Sequence, residues 1–189
     1  MKFCSSCGSA EIKQAIPEGD NRLRFVCSVC KEIFYHNPKI VVGCIAEWNN
    51  KILMCKRAIE PRYGKWTLPA GFMENEETVH EAAARETQEE ATAEVANMTL
   101  YTMYNLPHIS QVYVMFLAKL VDGKASPGIE SLEVALMDES EIPWDDLAFP
   151  VIRESLQRYF DDKRQGNSFK LHYGDIRNLS SQKHEVKHY

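Results

Sequence analysis

The chain has 189 residues, a net charge of −5, 44% apolar and 26% charged residues, which allows one good core with a small appendage. The acidic balance argues against broad binding of nucleic acid or of an anionic membrane surface. The longest apolar runs, such as 40–46 and 113–118, are far too short to span a bilayer, and Met1-Lys2-Phe3-Cys4 does not begin a basic-then-apolar export signal, so no membrane partner and a cytoplasmic location are expected.

The first unit is expected over residues 1–36. Cys4, Cys7, Cys27 and Cys30 form two Cys-x-x-Cys pairs. Without an export signal, disulfides are disfavoured and a metal is the better reading. Four thiolates set in two such turns suit the tetrahedral site of structural Zn²⁺. The apolar residues between them (Ile12, Ile16, Leu23, Phe25, Val26) are too few to hold a fold without the metal. A small zinc ribbon of short strands is therefore expected, with a redox pair as the weaker alternative. The acidic linker Pro17-Glu18-Gly19-Asp20 and the sparse Lys and Arg favour a structural or dimerising role over nucleic-acid binding. Cys44 and Cys55 read as small core residues.

Residues 39–47 read as a buried strand, Asn49-Asn50 as a hairpin turn and 51–57 as the return strand. Residues 58–65 form a loop whose Arg62 and Tyr63 either reach a nucleotide or lie on a plain surface. An apolar run, 66–70, then ends at Gly71 in a turn where a backbone carbonyl can approach an ion. A helix is predicted over 78–90, with three consecutive alanines and no Pro or Gly. On it Glu86, Glu89 and Glu90 stand at i, i+3 and i+4 and crowd one face. Such a face is either plainly solvated or compensated by a cation, and hard oxygen ligands suit Mg²⁺ or Mn²⁺ beside a phosphate-bearing substrate.

Strands are predicted over 94–104 and 111–120, separated by a break at Leu106-Pro107-His108. An acidic loop with Glu130 and Glu133 precedes a short strand at 134–137. Residues 145–163 are amphipathic at helical spacing, with Pro150 near the start. The tail from Asn167 carries Phe169, Leu171 and Tyr173, and its end, 180–189, is expected to be disordered or loosely packed. The aromatics Phe72, Tyr104 and Tyr113 suit either ring stacking or the core, and the histidines are read as structural or surface residues. Strands flanked by helices suggest an α/β/α layering.

Residues 71–90 resemble the Nudix box, Gly-x5-Glu-x7-Arg-Glu-U-x-Glu-Glu-x-Gly-U with U aliphatic. Gly71, Glu77, Arg85, Glu86, Glu89 and Glu90 match it in full. Thr87, Thr92 and Ala93 depart from it, and Thr92 in the Gly slot predicts a differently shaped loop, because Thr tolerates positive φ poorly. The resemblance implies a Nudix α/β/α sandwich of the α/β class over 37–174, preceded by the zinc ribbon and followed by a tail over 175–189. It implies hydrolysis of a nucleoside diphosphate linked to another group. Glu86 and Glu90 become Mg²⁺ or Mn²⁺ ligands, with Glu89 a third ligand or a base, and the Ala70 carbonyl a further ligand. Arg85 orients the glutamates, Glu77 supports Arg85 or the helix start, and Glu133, ahead of Glu130, is the assisting loop acid.

A ribbon before such a domain is similar to two subgroups. NADH pyrophosphatases, which also remove NAD caps from RNA, carry a Ser-Gln-Pro-Trp-type signature, and 106–113 lacks its Pro-Trp pair. Nearly the whole chain to Gly174 resembles plant plastid FAD/ADP-ribose pyrophosphatases, through segments such as Asn37-Pro38-Lys39-Ile40-Val41-Val42-Gly43-Cys44, Trp66-Thr67-Leu68-Pro69-Ala70-Gly71 and Phe169-Lys170-Leu171-His172-Tyr173-Gly174. That implies a dinucleotide-type substrate, FAD or ADP-ribose, with AMP as product, and by analogy a homodimer. A nucleotide-sensing ribbon protein without catalysis is the alternative from another class, disfavoured because every box glutamate is present.

Overall fold

The computed structural model describes residues 1–166, 168–180 and 183–189. Asn167, with which the tail opens, and Ser181 and Gln182 within its end lie outside the described residues. The chain divides into two compact units, Met1–Asn37 and Pro38–Tyr189.

In the first unit β1 (Ile12–Ala15), β2 (Arg24–Cys27) and β3 (Ile33–Phe34) form an antiparallel sheet. Two cysteine turns flank it. The Gly8 amide donates to the Cys4 carbonyl at 2.9 Å and the Lys31 amide to the Cys27 carbonyl at 3.0 Å. Gly8 and Lys31 take the same left-handed conformation, φ 74° and 66°, which the tight turn requires after each Cys-x-x-Cys.

The second unit is built on a mixed sheet. Its strands are β4 (Lys39–Trp48), β5 (Lys51–Arg57), β6 (Trp66–Thr67), β7 (Ala70–Phe72), β8 (Val95–Leu106), β9 (Gln111–Leu120), β10 (Ser131–Met137), β11 (His172–Ser180) and β12 (Lys183–His188). The main order is β10-β5-β4-β9-β8-β11-β12, with β6 on β5 and β7 on β4. The central pair β4 and β9 runs parallel from Lys39↔Gln111 to Glu47↔Lys119. Asn49 and Asn50 both adopt positive φ, 48° and 68°, the backbone that a two-residue hairpin needs to match strand twist.

Both faces of the sheet are covered. Val42, Cys44, Leu53, Cys55, Val114 and Phe116 pack under helix α1 (Val79–Ala91), whose Ala82 and Ala83 allow close approach. Ile45, Ile52, Met54, Tyr101 and Met115 pack under helix α2 (Pro150–Arg164), against Ile152, Leu156 and Tyr159. Alternate residues of one strand thus serve opposite layers, and the strands read as continuous apolar runs because both sides are buried. The α/β/α sandwich is as the sequence implies.

Three local expectations are corrected. The second helix starts at Pro150, not 145. Proline at the first helical position lacks only an amide that no helix bond would use, and Trp144–Asp146 forms a separate 3-10 turn. Thr92 does not reshape the helix exit: it adopts φ 47°, ψ 40° and donates its amide to the Gln88 carbonyl, the left-handed cap a glycine would supply. The tail is not loose over its described residues. β11 pairs in parallel with β8 (His172↔Thr102 to Asp175↔Asn105), and β12 pairs antiparallel with β11. Ile176, 1% exposed, joins the core under α2, and Val186 packs against it. Phe169 stacks on Tyr159 with ring centroids 5.5 Å apart. Asp162 of α2 accepts hydrogen bonds from the Tyr101 hydroxyl at 2.9 Å and, from His172, at 2.8 Å.

Candidate functional site

Helix α1 and the strand just before its loop bring the box residues together. Thr78 caps the helix: its hydroxyl accepts the Glu81 amide, and the Glu81 carboxylate accepts the Thr78 amide, so two otherwise orphaned donors are satisfied. Arg85 then acts as the hub. Its Nε and one Nη hold both oxygens of Glu77 at 3.0 and 2.7 Å, and that Nη also reaches the Phe72 carbonyl at 3.1 Å. The other Nη donates to Glu86 at 2.7 Å and to Glu89 at 3.0 Å. This fork places one cation against three carboxylates and ties the helix to the β7 loop, a geometry lysine cannot reproduce.

Gly71 serves the site through its missing side chain. A Cβ there would collide with the Glu86 carboxylate, so the glycine clears space for that acid. Glu86 and Glu90 are 9% and 6% exposed, whereas Glu89 faces solvent. Burial pushes Glu86 above its ordinary value; it pushes Glu90 up to about 8, against the pull of the Ala70 amide, which donates to Glu90 Oε2 at 3.2 Å. Among the described residues Glu90 has no ion-pair partner. A buried carboxylate with a single amide donor is costly unless protonated or met by a cation. Hard oxygens of this kind suit a divalent cation by their chemistry, but among the described residues only the four cysteine sulfurs already lie close enough together to hold an ion.

The cysteine cluster fits zinc by geometry. Cys4 and Cys30 sulfurs are 3.5 Å apart, Cys7 and Cys27 sulfurs 3.7 Å, and all four lie within 4.8 Å of one another. A tetrahedral zinc with bonds near 2.3 Å requires sulfurs about 3.8 Å apart, and a disulfide requires far less. Cys4 and Cys27 lie below the ordinary thiol value and Cys7 and Cys30 above it, the pattern of close sulfurs that share protons.

Of the two loop acids, Glu130 is the one whose charge reaches Glu86 and Glu90, raising both. The loop is pinned there: the Gly128 amide donates to the Glu90 carbonyl at 2.9 Å, and a Cβ at Gly128 would collide with the Glu89 carbonyl. Glu133 instead pairs with Lys56 at 3.4 Å on the β10–β5 pair. Arg62 and Tyr63 are exposed on their loop. Tyr104 and Tyr113 are core residues, but Phe72 is 46% exposed, with the Lys39 ammonium 4.6 Å from its ring centroid. His36 packs near Phe25, His80 on Phe116, His172 on Asp162, and His108, His184 and His188 are exposed.

The NUDIX domain profile matches residues 37–159, and the Nudix N-terminal profile, a zinc ribbon, matches 2–36. The chain belongs to the Nudix family. This Nudix chain is similar to a crystal structure of a NUDIX hydrolase from Nitrosomonas europaea, at 56% identity and TM-score 0.89, over 94% of this chain and 100% of that one. It is 31% identical over 148 residues to the NAD-capped RNA hydrolase NudC of Photobacterium profundum, covering 76% of this chain and 52% of that protein. It is 32% identical over 115 residues to the ADP-ribose pyrophosphatase of Methanocaldococcus jannaschii, covering 58% of this chain and 67% of that protein. The chain thus spans about half the length of the NAD-capped RNA hydrolase it matches. No described helix is long and apolar enough to cross a membrane.

Proposed function

We propose that this chain hydrolyses the pyrophosphate bond of a nucleoside diphosphate derivative, FAD or ADP-ribose, to release AMP. The observation that carries the reading is the buried pair Glu86, against Gly71, and Glu90, against the Ala70 amide, with Arg85 neutralising one side of the cluster and Glu90 left without an ion pair among the described residues. Glu86, Glu89 and Glu90, with the Ala70 carbonyl, would hold Mg²⁺ or Mn²⁺. When bound, such an ion neutralises phosphate charge and lowers the pKa of water. The chain's own groups do the rest. Arg85 and Glu77 fix the helix face. Glu130, whose charge raises both Glu86 and Glu90, would accept a proton from the attacking water, with Glu133 as the other candidate. That water's oxygen bonds to one phosphorus, the bridging oxygen leaves with the electron pair, and two monophosphates result. The exposed Phe72 ring and Lys39 border a groove of about 530 Å³ that also takes in Ile40 and Met73, suited to an aromatic ring beside phosphate. The resemblance to plant plastid FAD/ADP-ribose pyrophosphatases and the similarity to the Methanocaldococcus enzyme support this choice of substrate.

A second reading, NADH or NAD-cap hydrolysis, is favoured by the 148-residue match to the Photobacterium protein and opposed by the missing Pro-Trp pair after the box. The test is a panel of FAD, ADP-ribose, NADH, NAD-capped RNA and a nucleoside triphosphate, each with Mg²⁺ or Mn²⁺ and with chelator. Metal-dependent AMP release, fastest from FAD or ADP-ribose, is expected. Fastest turnover of NADH or capped RNA establishes the second reading, and no turnover of any substrate sinks both.

A further inference from the structure

One apolar row of the sheet runs out from under its helix. Val42, Val114 and Met103 are neighbours across β4, β9 and β8, and Val42 and Val114 are buried in the layer beneath α1. Met103 stands next to Tyr173 of β11, and the Tyr189 amide donates to the Tyr173 carbonyl at 3.1 Å. Cross-strand neighbours share a face, so the row continues on the α1 side to the edge of the sheet. There the cover ends. Tyr173 is 43% and Tyr189 58% exposed, and Leu100, opposite Phe116 of the same layer, is 40% exposed. The two tyrosine rings are stacked, with centroids 5.6 Å apart. The Tyr189 hydroxyl donates to Asp175 at 3.0 Å, and Asp175 also accepts from Asn105 at 3.2 Å. Rings pinned in this way lose little freedom on meeting a partner, and tyrosine is a residue that interfaces favour.

Charge names the occupant. Asp175 lies opposite Lys187, and Arg177 opposite Glu185; the two-residue repeat of a strand puts all four on the face of the tyrosines. The patch thus presents two acids and two bases around a pair of rings. A partner of one sign, such as a nucleic acid, meets repulsion from half of these groups and from the net charge of −5. A second copy of the same patch, turned about a two-fold axis, can set acids against bases. We infer that two copies of this chain associate face to face through the β11–β12 end of the sheet, with Tyr173 and Tyr189 at the centre of the contact. This surface stands independently of the catalytic reading.

The test is sedimentation equilibrium of the full chain over a range of concentrations, for wild type and for a variant carrying both Tyr173→Arg and Tyr189→Arg. Melting temperature and near-ultraviolet circular dichroism check the fold, which should hold because both rings stand in solvent. Wild type is expected at the mass of two chains, and the double variant at the mass of one, with self-association at least about 10-fold weaker. Arg177→Glu should also weaken the association, and Arg177→Glu combined with Glu185→Arg, which restores the balance of signs, should recover it. Wild type at the mass of one chain up to about 100 μM overturns the inference and leaves the patch to another partner. The mass of two chains in a folded double variant overturns it as well, since the contact then lies elsewhere. Should the arginine variant fail to fold, Arg177→Glu decides: association unchanged from wild type overturns the assignment.

Discussion

Arg85 shows what a single residue contributes here. The five donors of one guanidinium serve Glu77, Glu86, Glu89 and the Phe72 carbonyl together. The spacing of these residues was legible in the sequence; that Arg85 serves all of them at once was not, because it depends on the β7 loop folding back over the helix. The Arg85 guanidinium holds Glu77 down to about 2, from an ordinary 4.5, with help from the Glu74 amide. A depressed acid contributes stability that is complete above its unfolded value and lost as pH falls through its folded one. The melting-temperature gap between wild type and Glu77→Gln should therefore be constant above about pH 5 and close as pH falls toward 2. A gap that does not change over that range would show that the pair is not coupled. Two features escaped sequence reading at this scale. Glu130 and Glu133 lie three apart in one acidic loop, and spacing alone does not separate them; the anchoring of Gly128 on α1 and the pairing of Glu133 with Lys56 do. Gly71 is the second: that its missing Cβ makes room for the Glu86 carboxylate shows only once the β7 turn lies against the helix.

The helices and strands differ in how plainly the sequence announced them. β4, β5 and β9 were visible because their runs of β-formers are long and bounded by turn residues, and α1 because its alanines and cap leave little alternative. Its exit was misjudged. A Thr at φ 47° was expected to redirect the loop, yet the bond to the Gln88 carbonyl and the packing of 126–128 on the helix end impose the cap regardless. The left-handed conformation costs a non-glycine residue roughly 1–2 kcal/mol, so Thr92→Gly should raise stability by about 1 kcal/mol, read by denaturant unfolding; destabilisation would mean that the Thr side chain makes a compensating contact. The tail was misjudged because its apolar residues are few and widely spaced, and their value depends on a parallel pairing with β8 distant in sequence. Ile176→Ala should cost about 2–4 kcal/mol, whereas a change within about 0.5 kcal/mol would be the behaviour of a loosely packed tail.

Taken whole, the chain joins a cysteine-clasped unit, Met1–Asn37, to a sheet covered on both faces, Pro38–Tyr189. The first unit buries little apolar surface, and Phe3, Ile16, Leu23 and Val29 are exposed, so a metal held by the four thiolates would supply much of its stability. In the second unit the large apolar layer under α2 anchors the sheet, while the layer under α1, rich in alanine and cysteine, lets that helix sit close. Close seating puts Glu86 against Gly71 and Glu90 against the Ala70 amide, so the packing of the whole sheet sets the geometry of the carboxylates. The central measurement is metal-dependent release of AMP from ADP-ribose and FAD by wild type and Glu90→Gln, alongside their melting temperatures. Glu90→Gln should lose at least about 10²- to 10³-fold in turnover while melting no lower than wild type without metal, since a neutral amide replaces a buried acid. Retained turnover in a folded Glu90→Gln would contradict the assignment of the carboxylate cluster as the catalytic centre.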